Sequence, residues 1–383
     1  MGRKMPKNKE TLRRVPLWAK KCPAIRKGSA GSMGASKHIL VTGNGFDLYH
    51  GLKTNYMDFV KCVEEAFAQP KEQRTPFQAE LTQLCNVNGF FRHFHFTLAD
   101  DPDWTNFERE MDNMLAALIH FQDVVLENEK DPEYDLISYN IISVVFTYND
   151  LQIYKHFARI FEQIYDDPSG GMFKLRQQFI TPEKKLNKKA LIAEVRRELE
   201  TFTQALDLYL STCVMGKIST GVSPQIREIA PDYVINFNYT DTARIYGVPE
   251  DHIFYANGRA GSEPLNLVLG SPDESEEHME WAYLRNYFQR LMRFIGVPEK
   301  SMLYPVDAAG GAVPVETHWF GYSFPATDAG LIRDLARASE KMVIYYADME
   351  DYAYKMIRLL EVFGKETVED QIYCGKMVFE AVR

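Results

Sequence analysis

The chain has 383 residues, of which 45% are hydrophobic, and a formal net charge of −9, so it can bury a large core and is acidic overall. This balance argues against a broad nucleic-acid surface, and five scattered cysteines argue against a zinc knuckle or a CxxC redox pair and favour a reducing cytoplasm. We expect no membrane span, because the apolar runs are too short to cross a bilayer. We also expect no secretory signal, because the basic start is not followed by an apolar segment.

The positive charge is concentrated at the start of the chain. Residues 1–36 carry ten lysines and arginines and one acid, which makes them +9 and leaves the rest of the chain at −18. We expect residues 1–36 to be a disordered basic tail, with the true start codon at Met33. The alternative is a basic arm that binds nucleic acid or another acidic partner.

The first element after the tail is a strand over residues 38–42, followed by a glycine turn and a helix over residues 54–66. Residues 43–48 read Gly-Asn-Gly-Phe-Asp-Leu, so the turn begins like the GxGxxG fingerprint but has Leu48 in place of the third glycine. A strand, glycine turn and helix present backbone N–H groups to a phosphate. The alternative is a strand-to-helix turn without a ligand.

Helical periodicity dominates residues 70–225, which we interpret as a helical insertion with helices over 107–127 and 188–209 and a loop over 166–171. Glu108 lies at the start of the first helix, where a carboxylate either stabilises the helix end or reaches toward a nucleotide. His93 and His95 would lie on one face of a strand. Without a nearby carboxylate or cysteine they do not indicate a metal site.

Strand signals return after residue 225, over residues 233–238, 252–256, 265–269, 318–320 and 341–346, with a helix over 329–340. Several runs are apolar without alternation, which is typical of parallel strands covered on both faces. We therefore predict an α/β fold with a parallel Rossmann-like sheet, built from residues 37–69 and 226–383.

Polar residues follow these strands at the ends where parallel sheets bind ligands. Asn238 is placed to bind a ribose or orient a water, and Asp241 to accept from a ribose hydroxyl or to cap a helix. Asn257-Gly258 ends another strand. Ser323 lacks the second glycine of a nucleophile elbow, so a serine hydrolase is not indicated.

The order of four motifs resembles the AbiH family of abortive-infection proteins. The resembling segments are residues 43–59, Trp-x-x-x-Glu at 104–108, Asn-Phe-Asn-Tyr-Thr-Asp at 236–241, and Gly-Tyr-Ser-Phe with Asp328 from residue 321. The resemblance implies a phage-defence protein in which an infected cell stops growing before phage is released.

The motif order is more distantly similar to sirtuin-like NAD-binding domains of bacterial defence systems. That resemblance implies that residues 43–45 and Asp47 hold phosphates, and that Asn238 and Asp241 face the nicotinamide ribose. The chain departs from it at Asn257, where those domains have a histidine base. It also has Tyr322 where AbiH relatives often have histidine, and both departures put hydrolysis in question.

We therefore expect a cytoplasmic protein that binds, and in one hypothesis hydrolyses, NAD or a related nucleotide; the alternative is a non-catalytic nucleotide-sensing or partner-binding module. A homo-oligomer or a phage-derived trigger is a further candidate partner, and no metal is expected. The candidate catalytic residues are Asn238, Asp241 and Asn257. The candidate binding residues are Gly43, Asn44, Gly45, Phe46, Asp47, Gly258, Gly321, Ser323 and Asp328, with His50 and Glu108 as further candidates.

Overall fold

The computed structural model describes residues 36–98, 104–131, 133, 146–165, 172–217, 221–272 and 275–383. The predicted disordered tail and the predicted loop at 166–171 lie outside them, apart from residue 36. The strands are β1 Lys37–Thr42, β2 Phe161–Tyr165, β3 Met172–Leu175, β4 Tyr233–Asn236, β5 Ile253–Tyr255, β6 Val315–Phe320, β7 Lys341–Tyr346 and β8 Met377–Ala381.

Thirteen α-helices lie in the described part of the chain, and shorter 3₁₀ turns connect some of them. The helices are α1 Asn44–Tyr49, α2 Tyr56–Ala68, α3 Pro76–Cys85, α4 Gly89–Thr97, α5 Trp104–Asn128, α6 Tyr148–His156, α7 Lys188–Tyr209, α8 Pro224–Ile229, α9 Asn286–Met292, α10 Lys300–Leu303, α11 Ala329–Ala338, α12 Met349–Phe363 and α13 Lys365–Tyr373. A π-helical turn, Leu210–Val214, continues α7.

Six strands form one sheet in the order β5-β4-β1-β6-β7-β8, and every neighbouring pair is parallel. Numbered along the chain within this sheet, the order is 3-2-1-4-5-6, which is that of the Rossmann fold. β2 and β3 form a separate antiparallel pair. The predicted α/β class with a parallel Rossmann-like sheet and a helical insertion is therefore confirmed.

Alternating residues of the central strands pack on opposite faces of the sheet. Ile39 and Val41 of β1 belong to a cluster with residues of α11 and α12. Leu40 belongs to a second cluster that contains Phe46 of α1 and Ile226 of α8. Helices therefore cover both faces, which explains why the strand sequences are apolar without alternation.

The segment between α2 and β4 builds a third and larger core from α2 to α7 and the β2–β3 pair. Aromatic residues dominate where these helices meet; Phe94 and Phe107, for example, stack with ring centroids 4.1 Å apart. None of the helices in the described residues combines the length and the apolar character needed to cross a bilayer.

Two local predictions are wrong. His93 and His95 lie in α4 and not on a strand, because Asn88 caps the helix by accepting from the Phe91 N–H and buried phenylalanines recur at helical spacing. Residues 265–269 are not a regular strand, although the Val268 N–H donates to the Asn257 carbonyl at 2.9 Å. β8, which closes the sheet beside β7, is not among the predicted strands.

Candidate functional site

A cleft opens at the carboxyl ends of β1, β4, β5 and β6, where the strand order of the sheet reverses between β1 and β6. Ligands of open α/β sheets bind at such a switch point. The cleft encloses about 650 Å³, including space open to solvent. It is lined by Gly43, Asn44, Asp47, Thr54, Glu108, Leu210, Phe237, Asn238, Tyr239, Thr240, Asn257, Tyr322, Ser323, Pro325 and Asp328.

The glycines of the β1 turn and of the turn after β6 let two backbones touch at the rim of the cleft. The Gly45 N–H donates to the Gly321 carbonyl at 2.9 Å. A Cβ on Gly45 would lie 2.9 Å from the Gly321 Cα, and a Cβ on Gly43 would lie 2.7 Å from the Gly321 carbonyl oxygen. Gly321 itself has a φ of +62°, which favours glycine.

This contact changes the role predicted for the turn. The Gly45 N–H is used by Gly321, and the Phe46 N–H donates to the Gly43 carbonyl at 2.8 Å. These two groups therefore cannot cradle phosphates in this conformation. The close approach of the two strand ends, rather than a bound phosphate, accounts for both glycines of the turn. Gly45 and Gly321 border a neighbouring cavity instead of the cleft.

Asp47 is the most unusual group in the cleft. It is only 1% exposed, and its Oδ2 accepts from the Thr240 hydroxyl at 2.6 Å. No described residue hydrogen-bonds its Oδ1, although that atom is buried. Burial raises the pKa of Asp47 to about 6, against the opposing effects of the polar side chains of Thr240, Thr242 and Asn238. A buried oxygen without a hydrogen-bond partner requires an explanation, such as a catalytic role or a bound water.

A side-chain network after β4 fixes Asn238 beside the β1 turn. Thr42 donates to Asn236 Oδ1 at 2.8 Å, and the same oxygen accepts the Asn238 N–H at 2.9 Å. Asn236 Nδ2 donates to the Thr240 carbonyl at 2.7 Å. Asn238 Nδ2 donates to the Gly43 carbonyl at 2.9 Å. The polar residues predicted at the ends of β1 and β4 are therefore in direct contact.

The opposite wall is organised by Arg290 of α9, which the sequence motifs did not indicate. Its guanidinium donates to Asn257 Oδ1 at 2.8 Å and to Asp328 Oδ1 at 2.7 Å. The Tyr322 hydroxyl donates to the other Asp328 oxygen at 2.8 Å. Burial, together with the Asp328 charge, raises the pKa of Tyr322 well above its ordinary value, so this hydroxyl stays protonated.

Two further residues predicted for the site border the cleft. The Thr327 hydroxyl lies 3.2 and 3.1 Å from the two carboxylate oxygens of Glu108, which places α5 against the turn after β6. Ser323 lies between the cleft and the neighbouring cavity and borders both. The cleft is thus lined by the carboxylates of Asp47, Glu108 and Asp328, of which Arg290 neutralises the last.

Asp241 and His50 are predicted site residues that do not line the cleft. Asp241 pairs with Arg259 at 2.9 Å and with Arg244 at 3.5 Å outside it, so the ribose contact expected for Asp241 is not supported. His50 is buried with Nδ1 2.7 Å from the Phe46 carbonyl and Nε2 2.7 Å from the Tyr246 hydroxyl. Both of its ring nitrogens are therefore occupied.

Phe46 and Gly258 also lie outside the cleft lining. Phe46 is 1% exposed and packs among the side chains beneath the sheet. Gly258 has a φ of +82°, and a Cβ there would lie 2.1 Å from the Asn266 carbonyl oxygen. The Phe46 side chain therefore serves packing, and Gly258 serves the turn after β5. Thr54 and Thr240 line the cleft without having been predicted, and Thr54 donates to Asn44 Oδ1 at 2.6 Å.

A second, wider cavity adjoins the cleft on the β6–β7 side. It shares Asn44, Tyr322 and Ser323 with the cleft and extends toward Tyr345 and Lys355. Gly45 and Gly321, which touch each other, border this second cavity. Together the two spaces follow the carboxyl edge of the sheet across its switch point.

Comparison with known proteins shows the family to which the chain belongs. The family model described as "Bacteriophage abortive infection AbiH" matches residues 39–346, which run from within β1 to the end of β7 and include every residue that lines the cleft. Searches of curated proteins and of solved structures give no match. Because the family model covers most of the chain, the protein belongs to the bacteriophage abortive infection AbiH family.

Proposed function

We propose that the cleft binds NAD and that the protein cleaves its bond between nicotinamide and ribose. The observation that carries this proposal is the buried Asp47 Oδ1, which lacks a protein partner in a cleft at the switch point of a Rossmann-ordered sheet. A ribose hydroxyl or an attacking water would supply the missing donor. Consumption of NAD would stop the growth of an infected cell, which fits the description of the family.

The charge of the cleft suits this reaction. Nicotinamide in NAD is a cation, and its departure leaves positive charge on the ribose as an oxocarbenium-like state. Carboxylates of Asp47 and Glu108 beside the cleft stabilise such a charge. A phosphate would be repelled by the same carboxylates, so we place the nicotinamide ribose, and not the pyrophosphate, in this cleft.

Asp47 is the best candidate for a general base. Its pKa of about 6 is close to neutral pH, and a general base works best when its pKa lies near the working pH. In the proposed step the C–N bond breaks with its electron pair going to nicotinamide, water oxygen bonds to the ribose carbon, and its proton passes to Asp47. Asn257 cannot take that role, because an amide is not a base and its side chain is held by Arg290 and the Phe237 carbonyl.

The direct test is incubation of the purified chain with NAD and, separately, with ATP, followed by chromatography of the products. We expect nicotinamide and ADP-ribose from NAD and intact ATP. We expect Asn238→Ala to lower the rate at least about tenfold, because it removes the side chain that fixes the turn at Gly43 and borders the ribose site.

Asp241→Asn is the matched control, since it changes another residue of the same motif whose carboxylate points to Arg259 and Arg244. We expect its NAD consumption to stay within about twofold of the native rate, because Asp241 does not line the cleft and its carboxylate is paired with two arginines. Saturable binding with all NAD recovered intact would instead support the non-catalytic sensing module. Neither binding nor cleavage at millimolar NAD would refute the proposal for this cleft.

A further inference from the structure

Three potential metal ligands meet at the edge of the sheet opposite the cleft. His38 lies near the start of β1, and Glu316 and His318 lie on β6, paired in register with His38 and Leu40. Residues two apart on a strand share a face, and paired residues of parallel neighbours do too. The fold therefore places all three side chains on one face at the amino-terminal ends of the two central strands.

The ligand atoms of this cluster are close enough to share an ion. His38 Nδ1 and His318 Nε2 are 3.1 Å apart, and one ligand atom from each of the three residues lies within 4.8 Å of the others. Ligand atoms around a tetrahedral zinc ion are about 3.3 Å apart, as follows from bonds of about 2.0 Å. The two imidazoles already have this separation, and a rotation of the long Glu316 side chain closes the remainder.

The surroundings orient the ligands. The Tyr345 hydroxyl lies 3.2 Å from His318 Nδ1, which leaves the Nε2 of that ring facing His38. Such contacts to the second ring nitrogen are typical of metal-binding histidines. The ammonium of Lys341 is 3.8 Å from the Glu316 carboxylate, beyond hydrogen-bond distance, so that carboxylate is able to turn toward an ion.

We propose that His38, Glu316 and His318 bind one Zn²⁺ ion, with a water molecule as the fourth ligand. Two imidazoles and one carboxylate are a ligand set that zinc accepts, and three protein ligands leave one open position. The ion would join the amino-terminal ends of β1 and β6, opposite the ends that form the cleft. From the sequence we expected no metal and did not identify this cluster, whose two histidines are 280 positions apart in the chain.

The test uses the full chain without a histidine tag, stripped of metal and titrated with Zn²⁺ in competition with a coloured chelator. We expect one zinc per chain and a zinc-dependent rise in melting temperature, since an ion that binds only the folded state stabilises it. His38→Gln and Glu316→Gln should each weaken this binding about tenfold or more and remove the rise. Both residues are partly exposed, so each variant should fold without metal.

His95→Gln is the control, because His95 is an exposed histidine that also pairs with a glutamate, Glu64, at 2.9 Å but lies in α4. It should bind zinc as the native chain does. The proposal is overturned if the native chain binds no zinc at micromolar concentration, or if His38→Gln and Glu316→Gln bind as tightly as the native chain. Neither readout involves NAD, so the result is independent of the function proposed for the cleft.

Discussion

Asp47→Asn is expected to abolish NAD cleavage and at the same time to stabilise the fold at neutral pH. The carboxylate is buried, and burial raises its pKa from 3.8 to about 6, which corresponds to about 3 kcal/mol of destabilisation when the group is charged. Asparagine has a similar shape and no charge, so it removes this cost together with the proposed base. A loss of activity with a higher melting temperature is typical of a site where function opposes stability.

The same pKa shift fixes the sign of the pH dependence. Because the folded-state pKa is the higher one, the protonated group favours folding, and its contribution is fully present below about pH 4 and lost as the pH rises through about 6. The stability difference between Asp47→Asn and the native chain should therefore be largest above pH 7 and vanish near pH 4. Chemical denaturation across this range measures it, and NAD cleavage by the native chain should rise through about pH 6.

Glu198→Gln is the matched control for this double effect. Glu198 is a buried carboxylate of α7 whose Oε1 has no partner among the described residues, and burial raises its pKa to about 7. It does not line the cleft. Glu198→Gln should stabilise the fold at neutral pH and leave NAD cleavage unchanged. Folded Asp47→Asn protein that still cleaves NAD would show that Asp47 is not the base.

Gly321→Ala should be the most destabilising single substitution at the rim of the cleft. The φ of +62° costs an alanine about 1 kcal/mol. Its Cβ would also lie 2.1 Å from the Phe46 nitrogen and 2.3 Å from the Gly45 carbonyl carbon, which are backbone atoms that no rotamer can move. The strand ends must separate and the Gly45–Gly321 hydrogen bond must break, so we expect a loss of about 4 kcal/mol in unfolding free energy.

Gly247→Ala separates the energetic cost of a positive φ from the cost of the steric clash. Gly247 has a φ of +79°, but a Cβ there meets no atom within 4 Å. This variant should lose only about 1 kcal/mol, measured by the same denaturant titration. Equal losses in the two variants would mean that the contact between the β1 and β6 turns does not hold the cleft together.

The sequence indicated the elements best where local pattern and tertiary packing agree. The helix at residues 188–209 and the strand at 341–346 have the predicted bounds in the structure, because each is a long or uniformly apolar run with clear ends. Residues 265–269 are equally apolar, but no strand in the described part of the chain pairs with them. The hydrophobic pattern of a segment predicts that it is buried, but it does not predict whether another strand lies close enough to pair with it.

Within the site, the sequence located the polar residues but not what they contact. Asn238 follows a strand and lines the cleft, as expected from its position at the end of a parallel strand. The sequence alone predicts a phosphate site at the glycines of the first turn, because the approach of Gly321, hundreds of positions away, leaves no local trace. Arg290 was missed for the same reason, since only the tertiary fold brings its helix to Asn257 and Asp328.

The most direct test of the nucleotide cleft is a crystal structure of Asp47→Asn grown with NAD, because this variant should bind the dinucleotide without cleaving it. We expect intact NAD with its nicotinamide ribose between the ends of β1 and β4, and a ribose hydroxyl or a water within hydrogen-bond distance of residue 47. NAD bound only elsewhere, or a cleft without ligand at saturating NAD, would contradict the assignment.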